Sequence, residues 1–426
     1  MELSFRRCRL FLRRYGIEVK EAETMKIAMM TNSYKPFVAG VPISVERLTE
    51  GLRRMGHEVV VFAPSYDMQE EEKDVVRYGS LLRNVAGGFS VPNSLDPIIE
   101  ERFREEDFDV IHVHHPMMMG EAARYLSKRY EVPLVFTYHT RYEQYLHYVG
   151  LSGLSRLMPS YLRHCTAPCD LVIAPTPLMK EYLEGISVKP PVSVLPTGIH
   201  MDSFLPDTEK AAQIRKMYLQ GRKHLFVSVS RLAKEKNVEF LIRSVKLIKE
   251  KRGSDFKLLL VGDGPERKHL ERLAEELNVQ EEIVFVGAVP NEEIRNYCHA
   301  ADLFLFASRS ETQGIVLIES MAVGTPVLAV RATGTEDVVV CGENGYMTNV
   351  SEMEFSDKLM DILGKKELQI LTEGAKKTAE NYHSDLIAAK AEKIYMEAIR
   401  RRARKEEERH FRKRGDVVYF SSAMHM

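Results

Sequence analysis

Short runs of consecutive apolar residues recur along this chain at intervals that leave room for a helix between them. In the first half they are KIAMMT from Lys26, EVVVFA from Glu58, DVIHVH from Asp109, PLVFTY from Pro133, DLVIAP from Asp170 and VSVLP from Val192. Strands that are apolar on both faces belong to a parallel sheet covered on each side by helices. The segments between them, such as Ile43 to Met55 and Gly120 to Arg129, carry the helical spacing that such cover needs. A second series, HLFVSVS, KLLLVG, IVFVG, LFLFAS and PVLAV, repeats the alternation from His224 onward. The expected fold class is therefore α/β, with two doubly wound Rossmann-like domains facing each other across a cleft.

The stretch VLPTGIHMDSFLPD, rich in Pro, Gly and polar residues, reads as the linker between the halves. The expected boundaries are a basic extension over 1–24, a first domain over 25–200, a second over 201–385, and a C-terminal helix and tail over 386–426. A chain of 426 residues has room for two cores. Its 60 Lys and Arg against 61 Asp and Glu, a formal net charge of −1, supply no field that would gather nucleic acid. Five scattered cysteines suit a reducing compartment. Cys165, Cys169 and His164 lack a fourth ligand for zinc. No apolar run approaches the roughly 20 residues of a membrane span. The segment RRCRLFLRRYG near the start is too short in its apolar part for a signal peptide; either Met25, where the first strand of the fold begins, is the functional start, or the segment is a basic amphipathic surface for anionic lipid.

Ligands of doubly wound sheets bind beyond the carboxyl ends of the strands, so candidate chemistry is sought there. Gly40 follows the first strand and precedes a helix, where a missing side chain lets backbone amides approach a ligand. No G-x-G-x-x-G follows that strand, and Gly262 and Gly264 in VGDGP, though they follow a strand and precede a helix, form too short a match to be more than a weak signal. Arg231 and Lys236 follow HLFVSVS and can clamp a diphosphate, one by its planar fork and one as a point charge. His139 follows PLVFTY beside an aromatic cluster. His112, His114 and His115 lack the carboxylate or thiolate company of a zinc site and are expected to line the cleft or cap a strand. Asp107 and Asp109 form a D-x-D, but they precede their strand and read as its solvated start.

The segment SRSETQGIVLIESMAVGTPVLAV places Glu311 and Glu319 around an apolar helix expected to start at Ser310 to Thr312 and to end at Gly324. Its first turn would aim the amides of Gln313, Gly314 and Ile315 into the cleft. A helix apolar on every face is buried, and an ionised Glu319 within it needs a specific partner. Eight helical residues would separate the two carboxylates by about 12 Å, too far for the acid and nucleophile of a glycoside hydrolase.

SRLAKEKN, then VGDGP, then the stretch from VFVGAVPNEEIRNYC through SETQGIVLIESMAVGTPVLA, resemble the retaining glycosyltransferases of family 4, with the GT-B fold, from Met25 to about residue 400. The resemblance implies that Glu319 receives the ribose hydroxyls of a nucleotide and that Glu311 faces the donor sugar. It also implies that Gln313 to Ile315 hold sugar and phosphate, and that His139 contacts the sugar. Arg231 and Lys236 would carry the leaving-group charge. The donor would be a nucleotide diphosphate sugar, with UDP-glucose expected, and neither cofactor nor metal would be required. The first domain would hold the acceptor.

TYHTRYEQYLHYVG is similar to the matching segment of bacterial diacylglycerol glucosyltransferases, which implies a lipid acceptor and a cytoplasmic enzyme able to lie on the inner face of the membrane. The following LSGLSRLMPSYLRHCTAPC departs from that pattern. A soluble sugar, a sugar phosphate or phosphatidylinositol remain as acceptors, and so does a non-catalytic nucleotide-sugar sensor on the same scaffold. Leu151, Leu154, Leu157 and Met158, with Arg156 and Arg163, form either an amphipathic lipid surface or an ordinary inward-packed helix. The run RRRARKEEERHFRKR is expected to be a solvated helix end or tail, with contact to anionic lipid as the alternative.

Overall fold

The computed structural model describes residues 24–67, 72–85, 89–142, 156–363 and 365–413. The apolar runs form two parallel sheets. The first contains β1 (Lys26–Met30), β2 (Glu58–Pro64), β3 (Val75–Tyr78), β6 (Val110–Val113), β7 (Leu134–Thr137), β8 (Leu171–Ala174) and β9 (Val192–Val194), in the order β3-β2-β1-β6-β7-β8-β9. A hairpin of β4 (Ser80–Val85) and β5 (Phe89–Pro92) interrupts it after β3. The second contains β10 (His224–Val229), β11 (Phe256–Val261), β12 (Ile283–Gly287), β13 (Leu303–Phe306), β14 (Val327–Val330) and β15 (Gly345–Thr348), in the order β12-β11-β10-β13-β14-β15. Each order reverses beside its first strand, between β1 and β6 and between β10 and β13, and those reversals open the crevices where ligands are held.

Burial explains why the strands were legible. β6, β7, β8, β11, β13 and β14 are buried at every position, as strands sandwiched between helices must be. Separate apolar clusters fill the two faces of each sheet. The expected 386–426 tail corrects in one respect. The helix Ser384–Lys413 returns to the first domain, where Ile387, Ala388, Ala391, Tyr395 and Ala398 join Met25, Ile27, Val45 and Leu52 in one core. Small residues make that approach possible: a Cβ on Gly51 would stand 3.0 Å from the Cβ of Ala388.

The basic run beyond it is not simply solvated. Arg402 and Lys405 reach the buried Asp170 carboxylate at 2.8 Å, and the same carboxylate accepts from the Leu134 amide at 3.0 Å. No helix among the described residues is long and apolar enough to cross a membrane. The extension over 1–23 and the segment carrying Leu151 and Leu154 lie outside the described residues.

Candidate active site

A cavity of about 750 Å³ opens between the sheets. Gly40 and His139 line it from the first domain; Arg231, Lys236, Glu311, Gln313, Gly314, Ile315 and Glu319 line it from the second. Each comes from the carboxyl end of a strand near a reversal in strand order, or from the helix that follows.

The cationic wall is built after β10. Gly262 takes a φ of +132°, and a Cβ there would fall 2.0 Å from the Ser230 carbonyl oxygen; one on Gly264 would fall 2.4 Å from that of Leu232. These glycines are therefore needed for the turn after β11 to press against the Ser230–Leu232 backbone that carries Arg231. Arg231 is exposed to the cavity. Lys236 follows in a short 3-10 turn, and its Nζ stands 2.5 Å from Glu311 Oε1, with the Ser308 hydroxyl donating to the same oxygen at 2.7 Å. Burial pushes the Glu311 carboxyl up, but the Lys236 charge, its hydrogen bond and the Ser308 hydroxyl outweigh that and hold the group below its ordinary value. Glu311 is thus an anion, and the cation expected to face a diphosphate already has a protein partner.

The helix after Glu311 starts later than its sequence suggests. Gly314, at φ +68°, sits in the left-handed region before helix Ile315–Ala322, so Ser310, Glu311 and Thr312 form a loop. The 12 Å separation inferred for a continuous helix between the two glutamates therefore does not apply. The loop is held from both sides. A Cβ on Gly334 would stand 2.7 Å from the Glu311 carbonyl oxygen, and the Thr312 hydroxyl donates across the cleft to the His139 carbonyl at 2.8 Å. The Gln313 side chain is spent on domain contact: its Oε1 accepts from the Thr197 amide at 2.7 Å and its Nε2 donates to the Thr197 carbonyl at 3.1 Å. Gln313 can meet a ligand only through its backbone.

Glu319 requires the main correction. It is buried as expected, but its partner belongs to the protein: Arg47 Nη2 donates to Glu319 Oε1 at 2.6 Å, while Arg47 Nη1 donates to the Gly198 carbonyl at 3.2 Å. The need of a buried carboxylate for a counter-charge is met without a nucleotide, so that need is no argument for one. Glu319 Oε2 has no hydrogen-bond partner among the described residues, and the side chain still borders the cavity. Arg47 was missed because its helix, Gly40–Arg54, carries many polar residues, and an arginine three positions after Ser44 reads as solvated. Asp263, at the cavity edge, was also passed over.

Four histidines lie close together at the cleft, His112 and His114 buried and His115 and His139 half-buried. His112 contacts the Tyr395 hydroxyl at 2.8 Å and Thr137 Oγ1 at 2.6 Å; His115 Nδ1 accepts from the Asn32 amide at 3.1 Å. His114 lies between Met29 and His139. Burial holds the pKa values of His112, His115 and His139 down at about 3 and that of His114 well below its ordinary value, so all four are neutral. They surround no carboxylate, and His114, which hydrogen-bonds His139, reads as its support. Asp109, of the D-x-D, accepts from the Lys26 amide at 2.8 Å on the opposite edge of the sheet.

Two facing parallel sheets with a polar cleft at their reversal points are the architecture called GT-B. The chain belongs to glycosyltransferase family 4: the model "Glycosyltransferase Family 4" matches residues 38–203 and "Glycosyl transferases group 1" matches 209–381. The alpha-monoglucosyldiacylglycerol synthase of Streptococcus pneumoniae is 32% identical over 324 residues, covering 72% of this chain and 71% of that one. That of Acholeplasma laidlawii is 28% identical over 393 residues, covering 88% and 98%. Among solved structures, Anabaena Alr3699/HepE in complex with UDP and glucose superposes with a TM-score of 0.69 at 18% identity, covering 86% of this chain and 98% of that one.

Proposed function

We propose that the enzyme transfers a hexose, glucose in the first instance, from a nucleoside diphosphate sugar to a diacylglycerol-type lipid, with retention of anomeric configuration. The observation that carries this reading is the convergence on one cavity of Arg231, the Lys236–Glu311 pair and the start of the Ile315–Ala322 helix, with His139 opposite. Arg231, Lys236 and the first free amides of that helix absorb the charge that develops on a departing diphosphate. With those cations present, this reading assigns no metal and no cofactor. Glu311, ionised, accepts hydroxyls of the donor sugar, and Glu319 offers Oε2 to the ribose while Arg47 balances its charge. Gly40 leaves room at the start of its helix, where the nearest atom to an added Cβ is Ile315 Cδ1 at 3.9 Å.

The lipid acceptor is supported by the glucosyldiacylglycerol synthases among the relatives and by exposed apolar side chains of the first domain. Val38, Leu81, Leu82 and Leu95 are 61–88% exposed. Val38 borders the cavity, and the hairpin carrying Leu81 and Leu82 leaves β3 at its carboxyl end, the edge that faces the cleft. Such a lip suits an enzyme resting on the cytoplasmic face of a membrane. The test is mass spectrometry of products after UDP-glucose, other nucleotide sugars and a panel of acceptors are offered, diacylglycerol vesicles among them. A glucosyl diacylglycerol is expected; transfer only to a soluble sugar, a sugar phosphate or phosphatidylinositol overturns the acceptor, and silence with every pair overturns the catalytic reading in favour of a sensor.

A further inference from the structure

The Met29–His114–His139 line carries more than support. The Met29 thioether, fully buried in β1, has lone pairs and no proton to give. His114 Nε2 faces its sulfur at 2.8 Å, so the ring proton of His114 belongs on Nε2 and its Nδ1 is left as a lone pair. That Nδ1 stands 2.8 Å from His139 Nε2, a separation that needs one proton between the nitrogens, and only His139 can supply it. The two rings lie nearly parallel, 23° apart with centroids at 5.1 Å, and the next ring, His112, packs on His114 at 4.1 Å.

On this basis we infer that His114, itself set by Met29, is a positioning residue that holds His139 in the Nε2–H tautomer, so that His139 meets the donor sugar through a bare Nδ1 as a hydrogen-bond acceptor. The inference rests on the proposed sugar transfer for its function, though not for its geometry. Because neutral imidazole carries one ring proton, each link forces the next. The low pKa values of all four histidines keep that condition satisfied across the working range of pH. His139 Nδ1 has no hydrogen-bond partner among the described residues, while the ring borders the cavity and its own carbonyl is pinned by Thr312. The arrangement selects a ligand group with a proton to give. A sugar hydroxyl satisfies Nδ1; a carboxylate or phosphate oxygen there would set lone pair against lone pair.

Two-bond proton–nitrogen NMR correlation of the full chain labelled with 15N-histidine tests the tautomer directly, with the His139 signals assigned by their loss in His139→Asn. The expected spectrum shows His139 protonated on Nε2 alone from neutral to mildly acidic pH, and its Nδ1 resonance moves when UDP-glucose is added. His114→Phe keeps a ring in the stack but removes the acceptor. His139 should then become a mixture of tautomers, and the KM for UDP-glucose should rise about tenfold while inhibition by UDP alone is unchanged. Met29→Leu should produce the same mixture more weakly, and it serves if the first variant does not fold. A wild-type His139 protonated on Nδ1, or a tautomer unmoved in both variants, overturns the inference. The expected tautomer in a protein that transfers no sugar to any acceptor would uphold the relay and refute the transferase reading instead.

Discussion

Replacing Lys236 by Ala is the sharpest perturbation of the proposed mechanism, because one side chain serves two charges. Its Nζ holds Glu311 at 2.5 Å, with both side chains 20% exposed, and borders the space assigned to the diphosphate. Two unit charges about 4 Å apart interact by roughly 4 kcal/mol at an effective dielectric near 20. Solvent access reduces the part of this that reaches folding stability to about 1–2 kcal/mol. The catalytic loss should be larger. Removing one preorganised group that stabilises transition-state charge costs about 10²–10³ in kcat, or about 3–4 kcal/mol. In Lys236→Ala, KM for the donor should rise and kcat fall together, since the lost charge faces the phosphates both in the ground state and as they depart. The pH dependence adds an independent readout. Without the lysine only Ser308 opposes the burial that pushes the Glu311 carboxyl up, so the acid limb of kcat/KM should move to higher pH. Steady-state kinetics with varied donor, compared with Lys236→Arg as a charge-keeping control, measure both effects. Unchanged kcat/KM with an unmoved acid limb would refute the assignment.

Arg47→Ala strands a buried carboxylate and should cost about 3–5 kcal/mol in urea unfolding, whereas the double replacement Arg47→Met with Glu319→Leu should recover most of that loss; equal losses in both would mean the pair is not coupled. Gly40→Ala meets nothing closer than 3.9 Å, so Tm should hold or rise slightly, and a higher donor KM with Tm unchanged would locate a ligand against that backbone, while an unchanged KM removes Gly40 from the site. His112 titrates at about 3 in the fold because it is buried, against 6.5 in its ordinary state, so the unfolded chain binds more protons between those values and stability falls as pH drops below 6.5. His112 contributes about 1.4 kcal/mol per pH unit, and His114, lowered from the same cause, adds in the same direction. Urea midpoints that stay flat from neutral pH down to pH 5, about 1.5 units below that value, would contradict the buried neutral group.

What the sequence disclosed follows from how each feature is determined. Strands buried on both faces write themselves as apolar runs, and the residues just past their ends could be placed at the cleft because the fold brings the carboxyl ends of its strands there. The edge strand Val75–Tyr78, the Ser80–Val85 and Phe89–Pro92 hairpin and the last strand Gly345–Thr348 escaped notice because they are short and only partly buried or interrupted by polar residues. The start of the Ile315–Ala322 helix was misread for a local reason: Ser310 and Thr312 have the side chains of caps, but the backbone turns through Gly314 in the left-handed region. The partner of Glu319 could not be read at all. Arg47 lies 272 residues away on another domain, and nothing in the periodicity of its own helix marks it as buried.

That last pairing changes how the donor pocket and the closure of the cleft are connected. Arg47 links three parts of the chain: its own helix in the first domain, the linker through the Gly198 carbonyl and the face of Phe204 at 5.3 Å, and Glu319 in the second domain. Gln313 repeats the arrangement in the other direction, reaching from the second domain to the backbone of Thr197. Gln313 and Glu319 both sit on the segment that lines the proposed donor site, one before and one within the same short helix. A nucleotide entering there meets side chains whose other contacts hold the domains together, so any opening wide enough to part the domains must also break the Arg47 contact with Glu319 and leave both charges in search of water. The buried ion pair is therefore better understood as setting the relative position of the domains than as a source of net stability, since its Coulomb gain is largely offset by the desolvation of both groups.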